Sequence, residues 1–107
     1  MENDSASPVA SIAFLTVLED TIRQRIQEPS PDSYVASLVA AGDKRLAQKL
    51  GEEAVELALA AVAGDQAEQL EEAADLLFHL LVLLNAKRMS LADVTAKLEQ
   101  RHLSRER

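Results

Sequence analysis

Residues 49–84 read KLGEEAVELALAAVAGDQAEQLEEAADLLFHLLVLL, and this stretch decides the fold. It is dense in Ala, Leu, Glu and Gln, all strong helix formers, and it is broken at Ala63-Gly64-Asp65. Gly64 closes a helix that runs from Lys44 to Ala63 with Asp43 as its cap. Asp65 caps a second helix that reaches about Lys87. So short a connection leaves the two helices roughly antiparallel.

Outward from this hairpin the same helical pattern continues. Ile12, Leu15, Glu19, Ile22 and Ile26 fall on one stripe of a helix from about Val9 to Gln27, with Glu19 its single polar exception and Phe14 and Leu18 widening it. Pro29-Ser30-Pro31 ends that helix, because proline donates no main-chain hydrogen bond and biases the residue before it away from helical angles. A short helix from Ser33 to Ala41 follows, stopped by Gly42. Ser90 with Asp93 three residues on resembles a capping box and opens a last helix to about Arg101. The expected architecture is all-α, a bundle of about five helices forming a single domain over residues 9–103. Residues 1–8 are expected to be a flexible N-terminus and 104–107 a frayed tail.

Composition agrees. Of 107 residues, 48% are hydrophobic, yet only Phe14, Tyr34 and Phe78 are aromatic, so the apolar content is almost all Ala, Leu, Val and Ile. A chain this short buries a modest core, which makes a homodimer or higher homo-oligomer the natural source of further burial. The 18 acidic against 11 basic residues, net −7, argue against a broad nucleic-acid surface but not against a nucleotide bound through metal ions. The absence of cysteine excludes disulfides and thiolate zinc sites. Leu76–Leu84, nine residues interrupted by His79, falls short of the about 20 needed to span a bilayer, and the start MENDSASPV lacks the features of a secretory signal. A soluble cytoplasmic protein is expected.

The chemistry concentrates on the hairpin. Glu53 and Glu56 are three apart, as are Glu72 and Asp75, so each pair projects from one side of its helix. Fifteen residues separate Glu56 from Glu72, enough to finish one helix, turn and climb back, so the pairs can face each other. Four converging carboxylates would repel unless a divalent cation neutralised them, and hard oxygen ligands suit Mg²⁺ or Mn²⁺. Glu at such spacing is also what a solvated helix face looks like. Against that stands the setting, since Ala54-Val55, Leu57-Ala58-Leu59 and Leu76-Leu77-Phe78 put these acids at the border of apolar surfaces. Spacing alone leaves both readings open.

Lys44, Arg45 and Lys49 lie just before the first pair. Lys49 precedes Glu53 by four, so its spacing favours an ordinary ion pair over a cationic wall for phosphate oxygens. His79, one turn after Asp75, reads either as an active-site donor or as a core histidine, and His102 as a surface residue. Ser33, Tyr34 and Ser37 read as helix-start or packing residues. No nucleophilic serine or cysteine paired with a histidine base is indicated, and Gly42, Gly51 and Gly64 are too scattered for a phosphate loop.

With these residues in view, the chain resembles the phosphoribosyl-ATP pyrophosphohydrolases of histidine biosynthesis. The resemblance covers roughly Leu15 to His102 and rests on SYVASL (33–38), GDKRLAQKLGEEAVE (42–56) and EAADLLFHLLVLL (72–84). The wider all-alpha nucleoside triphosphate pyrophosphohydrolase group is marked by ExxE followed by ExxD on the next helix, matched by Glu53, Glu56, Glu72 and Asp75. KxGEE before the first pair and HLLVLL after the second point to this branch of it.

The resemblance implies hydrolysis of N1-(5-phosphoribosyl)-ATP to phosphoribosyl-AMP and pyrophosphate by a dimeric helical bundle. It implies Mg²⁺ held by Glu53, Glu56, Glu72 and Asp75, with Glu52 a further ligand or the base that takes the water proton. Lys44, Arg45 and Lys49 become candidates for binding phosphates, and His79 for orienting a carboxylate or the substrate. Two residues depart from the family pattern. Phe78 stands where tyrosine is common, and Arg88 where a glycine usually ends the fourth helix, so a left-handed ending there costs more or is replaced. Some members are fused to a cyclohydrolase, for which this sequence has neither the length nor the cysteines, so one step is expected. The alternatives are a relative that removes pyrophosphate from other, non-standard triphosphates, and a non-catalytic helical dimerisation module.

Overall fold

The computed structural model describes residues 8–105, so the expected flexible segment lies, but for Pro8, outside the described residues. Five helices and no strand make up the described chain: α1 (Pro8–Gln27), α2 (Tyr34–Ala40), α3 (Asp43–Ala63), α4 (Gln66–Ala86) and α5 (Leu91–Arg105). The all-α bundle expected from composition and periodicity is what forms.

Helix α4 is the centre, packed against α1, α2 and α3, with α3 and α4 paired along the hairpin. Leu81 and Val82 are fully buried and meet Ile22 of α1, Val35 and Leu38 of α2, and Leu46 of α3. Each such side chain contributes roughly 1.5–3 kcal/mol by leaving water. The turn between α3 and α4 is fixed by a reciprocal cap. Asp65 Oδ1 accepts from the Glu68 amide at 2.9 Å, and Glu68 Oε1 accepts from the Asp65 amide at 3.0 Å. Gly64 also relieves crowding, since a Cβ there would lie 3.0 Å from the Ala60 carbonyl oxygen.

Three local readings change, and an open one at Arg88 is decided. Asp43 does not cap α3; Gly42, at φ 101°, occupies that position and Asp43 begins the helix, its carboxylate accepting from Lys87 Nζ at 2.7 Å. The positive φ accounts for this, because glycine adopts it without strain and aspartate does not. Ile12 and Phe14, expected on the buried stripe of α1, are 67% and 56% exposed, so the covered part of that stripe begins at Leu15. Periodicity marks an apolar side but not whether the same chain covers it. Helix α5 runs to Arg105 rather than about Arg101, so Ser104 and Arg105 of the expected frayed tail are helical. Arg88 keeps the left-handed ending despite its side chain. At φ 64° it completes a motif in which the Met89 amide bonds the Leu84 carbonyl at 2.7 Å and the Arg88 amide bonds that of Asn85 at 3.1 Å.

The polar exception on α1 also finds its reason. Glu19 is buried, and its Oε2 accepts from Asn85 Nδ2 at 2.9 Å and from the Leu91 amide at 2.8 Å. It thereby ties the start of α5 to α1 and α4. Ser90 and Asp93 form the reciprocal cap read from the sequence, Asp93 Oδ2 accepting from the Ser90 amide at 2.9 Å and Ser90 Oγ from the Asp93 amide at 3.2 Å.

Candidate active site

Because α3 and α4 run antiparallel from a tight turn, residues at matching distances from Gly64 meet. Glu53 and Glu56 of α3 and Glu72 of α4 each bring a carboxylate oxygen within 4.8 Å of the other two. Glu53 is only 5% exposed, Glu72 half-buried and Glu56 exposed, so the cluster opens from the bundle interior to solvent. Asp75, one turn further along α4, is exposed and stands outside this cluster.

Glu53 is held from one side. Its Oε2 pairs with Lys49 Nζ at 3.0 Å, the i, i+4 ion pair that spacing favoured, while Oε1 is buried with no hydrogen-bond partner among the described residues. Oε1 of Glu72 is in the same position. A buried, unpartnered carboxylate oxygen is costly, and a carboxylate cluster that holds two of them has the donor chemistry a hard cation takes. The proton affinity of Glu72 shows the same crowding. Burial, then a hydrogen bond with Glu56, then the charges of Glu56, Asp75 and Glu53 push its carboxyl above the usual glutamate range. Lys49 is pushed up, first by its hydrogen bond to Glu53 and then by that residue's charge, with the Tyr34 phenol and Glu52 adding smaller parts.

The remaining expected residues sit around this centre. Glu52 is exposed and accepts from Gln48 Nε2 at 3.3 Å. Lys44 and Arg45 are exposed at the start of α3, and the eight residues from Arg45 to Glu53 span about 12 Å of helix, so they stand apart from the carboxylates. A cleft of about 290 Å³ adjoins the cluster on the turn side, acidic at Glu56, Glu68 and Glu72 and apolar at Leu59, Ala60 and Ala63. His79 is buried, and its Nδ1 lies 2.7 Å from the main-chain oxygen of Asp75, so it bonds the backbone there and not a carboxylate.

Tyr34 is the residue that sequence reasoning missed. Its hydroxyl lies 2.7 Å from His79 Nε2, and its ring stacks along Phe78 with centroids 6.3 Å apart and planes 24° apart. The ring that Phe78 retains is thus the part in use. No spacing rule links positions 45 residues apart on α2 and α4; the only local hint was an aromatic at the first position of a short helix.

Residues 15–102 match the family described as phosphoribosyl-ATP pyrophosphohydrolase. The chain belongs to this family. Membership among the phosphoribosyl-ATP pyrophosphohydrolases agrees with its similarity to named relatives. It is 54% identical over 91 residues to the phosphoribosyl-ATP pyrophosphatase of Pyrobaculum neutrophilum, covering 85% of this chain and 97% of that one. To the phosphoribosyl-ATP pyrophosphatase of Pyrobaculum calidifontis it is 55% identical over 91 residues, with the same coverage. To the histidine biosynthesis bifunctional protein HisIE of Photobacterium profundum it is 51% identical over 92 residues, which are 86% of this chain but 44% of that longer protein. The family resemblance read from residues 33–38, 42–56 and 72–84 is therefore correct.

Proposed function

We propose that this protein hydrolyses N1-(5-phosphoribosyl)-ATP to phosphoribosyl-AMP and pyrophosphate, in histidine biosynthesis, at the carboxylate cluster between α3 and α4. The observation that carries the site is the convergence of Glu53, Glu56 and Glu72 with two buried oxygens left unpartnered. That donor set fits Mg²⁺, with Mn²⁺ as a substitute, and Asp75, one turn along α4 from Glu72, would be the fourth residue to hold it. A divalent cation held by these residues would neutralise charge on the phosphates and lower the pKa of a bound water.

The residues of the chain divide the remaining work. Lys49 holds Glu53 by one oxygen and leaves the other without a partner. Glu56, exposed at the mouth, meets the substrate side first. Glu52 takes the proton of the attacking water as the bond between the alpha and beta phosphates breaks and pyrophosphate leaves, a contribution of about 10²–10⁴ in rate for a placed base. Lys44 and Arg45 meet phosphate oxygens further along α3, and His79 helps to position the substrate. The active unit is a homodimer or larger homo-oligomer. An uncovered stripe of Val55, Leu59 and Val62 along α3 supports this, since these three are 58%, 64% and 88% exposed. The proposed location is the cytoplasm, and no described helix is long and apolar enough to cross a membrane.

A panel of phosphoribosyl-ATP, ATP, dCTP and dUTP, each with Mg²⁺, tests the reading by pyrophosphate release. Release from phosphoribosyl-ATP in clear preference is expected. Preference for ordinary or non-standard triphosphates would overturn the substrate while keeping the chemistry.

A further inference from the structure

His79 spends both ring nitrogens on fixed partners although it is only 7% exposed. The main-chain oxygen of Asp75 can only accept, so Nδ1, 2.7 Å away, carries the hydrogen. In the neutral ring Nε2 is then an acceptor, and the Tyr34 hydroxyl, also 2.7 Å away, donates to it. With the ring in that neutral form, the single proton of the phenol is directed inward. Its oxygen offers only lone pairs to anything that approaches from solvent.

Tyr34 is 49% exposed, and Phe78 and His79 confine its ring, the latter edge-on with centroids 5.7 Å apart. A half-exposed tyrosine is satisfied by water, so a buried imidazole is not needed for its solvation. What the imidazole supplies is a fixed position and a fixed polarity for the hydroxyl oxygen. That oxygen is tied to the proposed site by geometry, because His79, 2.7 Å from it, bonds through its other ring nitrogen to the main chain of Asp75.

We propose that Tyr34 is a substrate-binding residue of the hydrolysis site, whose hydroxyl oxygen accepts a hydrogen bond from a hydroxyl or N–H donor of the nucleoside part. His79 is the positioning residue that fixes it. An oxygen presenting lone pairs repels phosphate oxygens, so this contact is separate from the phosphate contacts of the cationic residues. The inference rests on the nucleotide hydrolysis proposed above.

The test combines kinetics with product binding. Tyr34→Phe keeps the ring and removes the hydroxyl, which is both the proposed acceptor and the donor to His79 Nε2. It is expected to raise KM for phosphoribosyl-ATP and the calorimetric Kd for phosphoribosyl-AMP by about tenfold, the scale of one hydrogen bond, with kcat falling less than threefold. Inhibition by pyrophosphate, which has no nucleoside, is expected to be unchanged. His79→Leu should give the same loss, and Tyr34→Phe/His79→Leu no more than either alone, because both remove one contact. A loss with phosphoribosyl-AMP but not AMP assigns the donor to the added ribose, and a loss with both assigns it to the AMP part. An unchanged Kd for phosphoribosyl-AMP, or a parallel weakening of pyrophosphate, would overturn the proposal for Tyr34 while turnover by the unaltered enzyme leaves the hydrolysis intact. Tenfold weaker phosphoribosyl-AMP binding with no turnover by the unaltered enzyme would keep Tyr34 and remove the hydrolysis.

Discussion

Lys49 and Glu53 share a single contact, Nζ to Oε2 at 3.0 Å, which leaves Glu53 Oε1 buried and free for a second cation. In the proposed role of Glu53 the pair therefore pre-positions a ligand instead of saturating it. Lys49→Ala leaves a buried carboxylate without compensation, so the metal-free protein should melt at a lower temperature, and Mg²⁺ should recover much of the difference. Thermal melts of both proteins with and without Mg²⁺ check this.

The raised Glu72 carboxyl has a defined sign. A group that binds its proton more tightly when folded stabilises the fold at pH below its ordinary range, and that contribution is lost as pH rises through the raised value. Metal-free protein should lose melting temperature as pH climbs through the weakly acidic range, and Glu72→Gln should flatten the dependence. Over the same window Mg²⁺ affinity should rise with pH, since the cation and the proton compete for one group. Melting curves taken across pH with and without Mg²⁺ read both effects.

Removing a carboxylate from the cluster should separate stability from activity. Glu56→Gln and Asp75→Asn relieve repulsion, so without metal each should fold as well as the parent or slightly better, while pyrophosphate release falls by about 100-fold or more. A variant that unfolds would show its carboxylate to be structural.

Arg88 occupies a left-handed position that costs a residue with a side chain roughly 1–2 kcal/mol. Part of this is offset by the greater entropy glycine loses on folding. Arg88→Gly should therefore stabilise by about 0.5–1 kcal/mol, a rise of about 2–8 °C in melting temperature for a domain of this size. The measurement is a thermal or denaturant melt, with turnover per site unaltered.

The hairpin and its carboxylates were legible because both rest on short-range rules. Gly64 and Asp65 punctuate the chain, and the spacing of Glu53, Glu56 and Glu72 about the turn allowed them to meet, while Asp75, expected with them, stands outside the cluster. Asp43 was misread because a capping residue and a positive-φ glycine stand side by side at Gly42-Asp43, and only the backbone decides between them. Tyr34 was beyond reach for a different reason: its partner His79 lies on another helix, and tertiary packing alone brings them to 2.7 Å. Glu19 showed in the sequence as an anomaly on an apolar stripe, but its purpose needed the Leu91 amide, 72 residues away, to be seen.

Calorimetric titration of Mg²⁺ into the unaltered protein and into Glu53→Gln/Glu72→Gln tests the central claim most directly. Saturable binding by the first and its loss in a folded double variant is the result expected from a cation held between α3 and α4. Equal binding by both, or none by either, would contradict it and leave these acids as solvated helix faces.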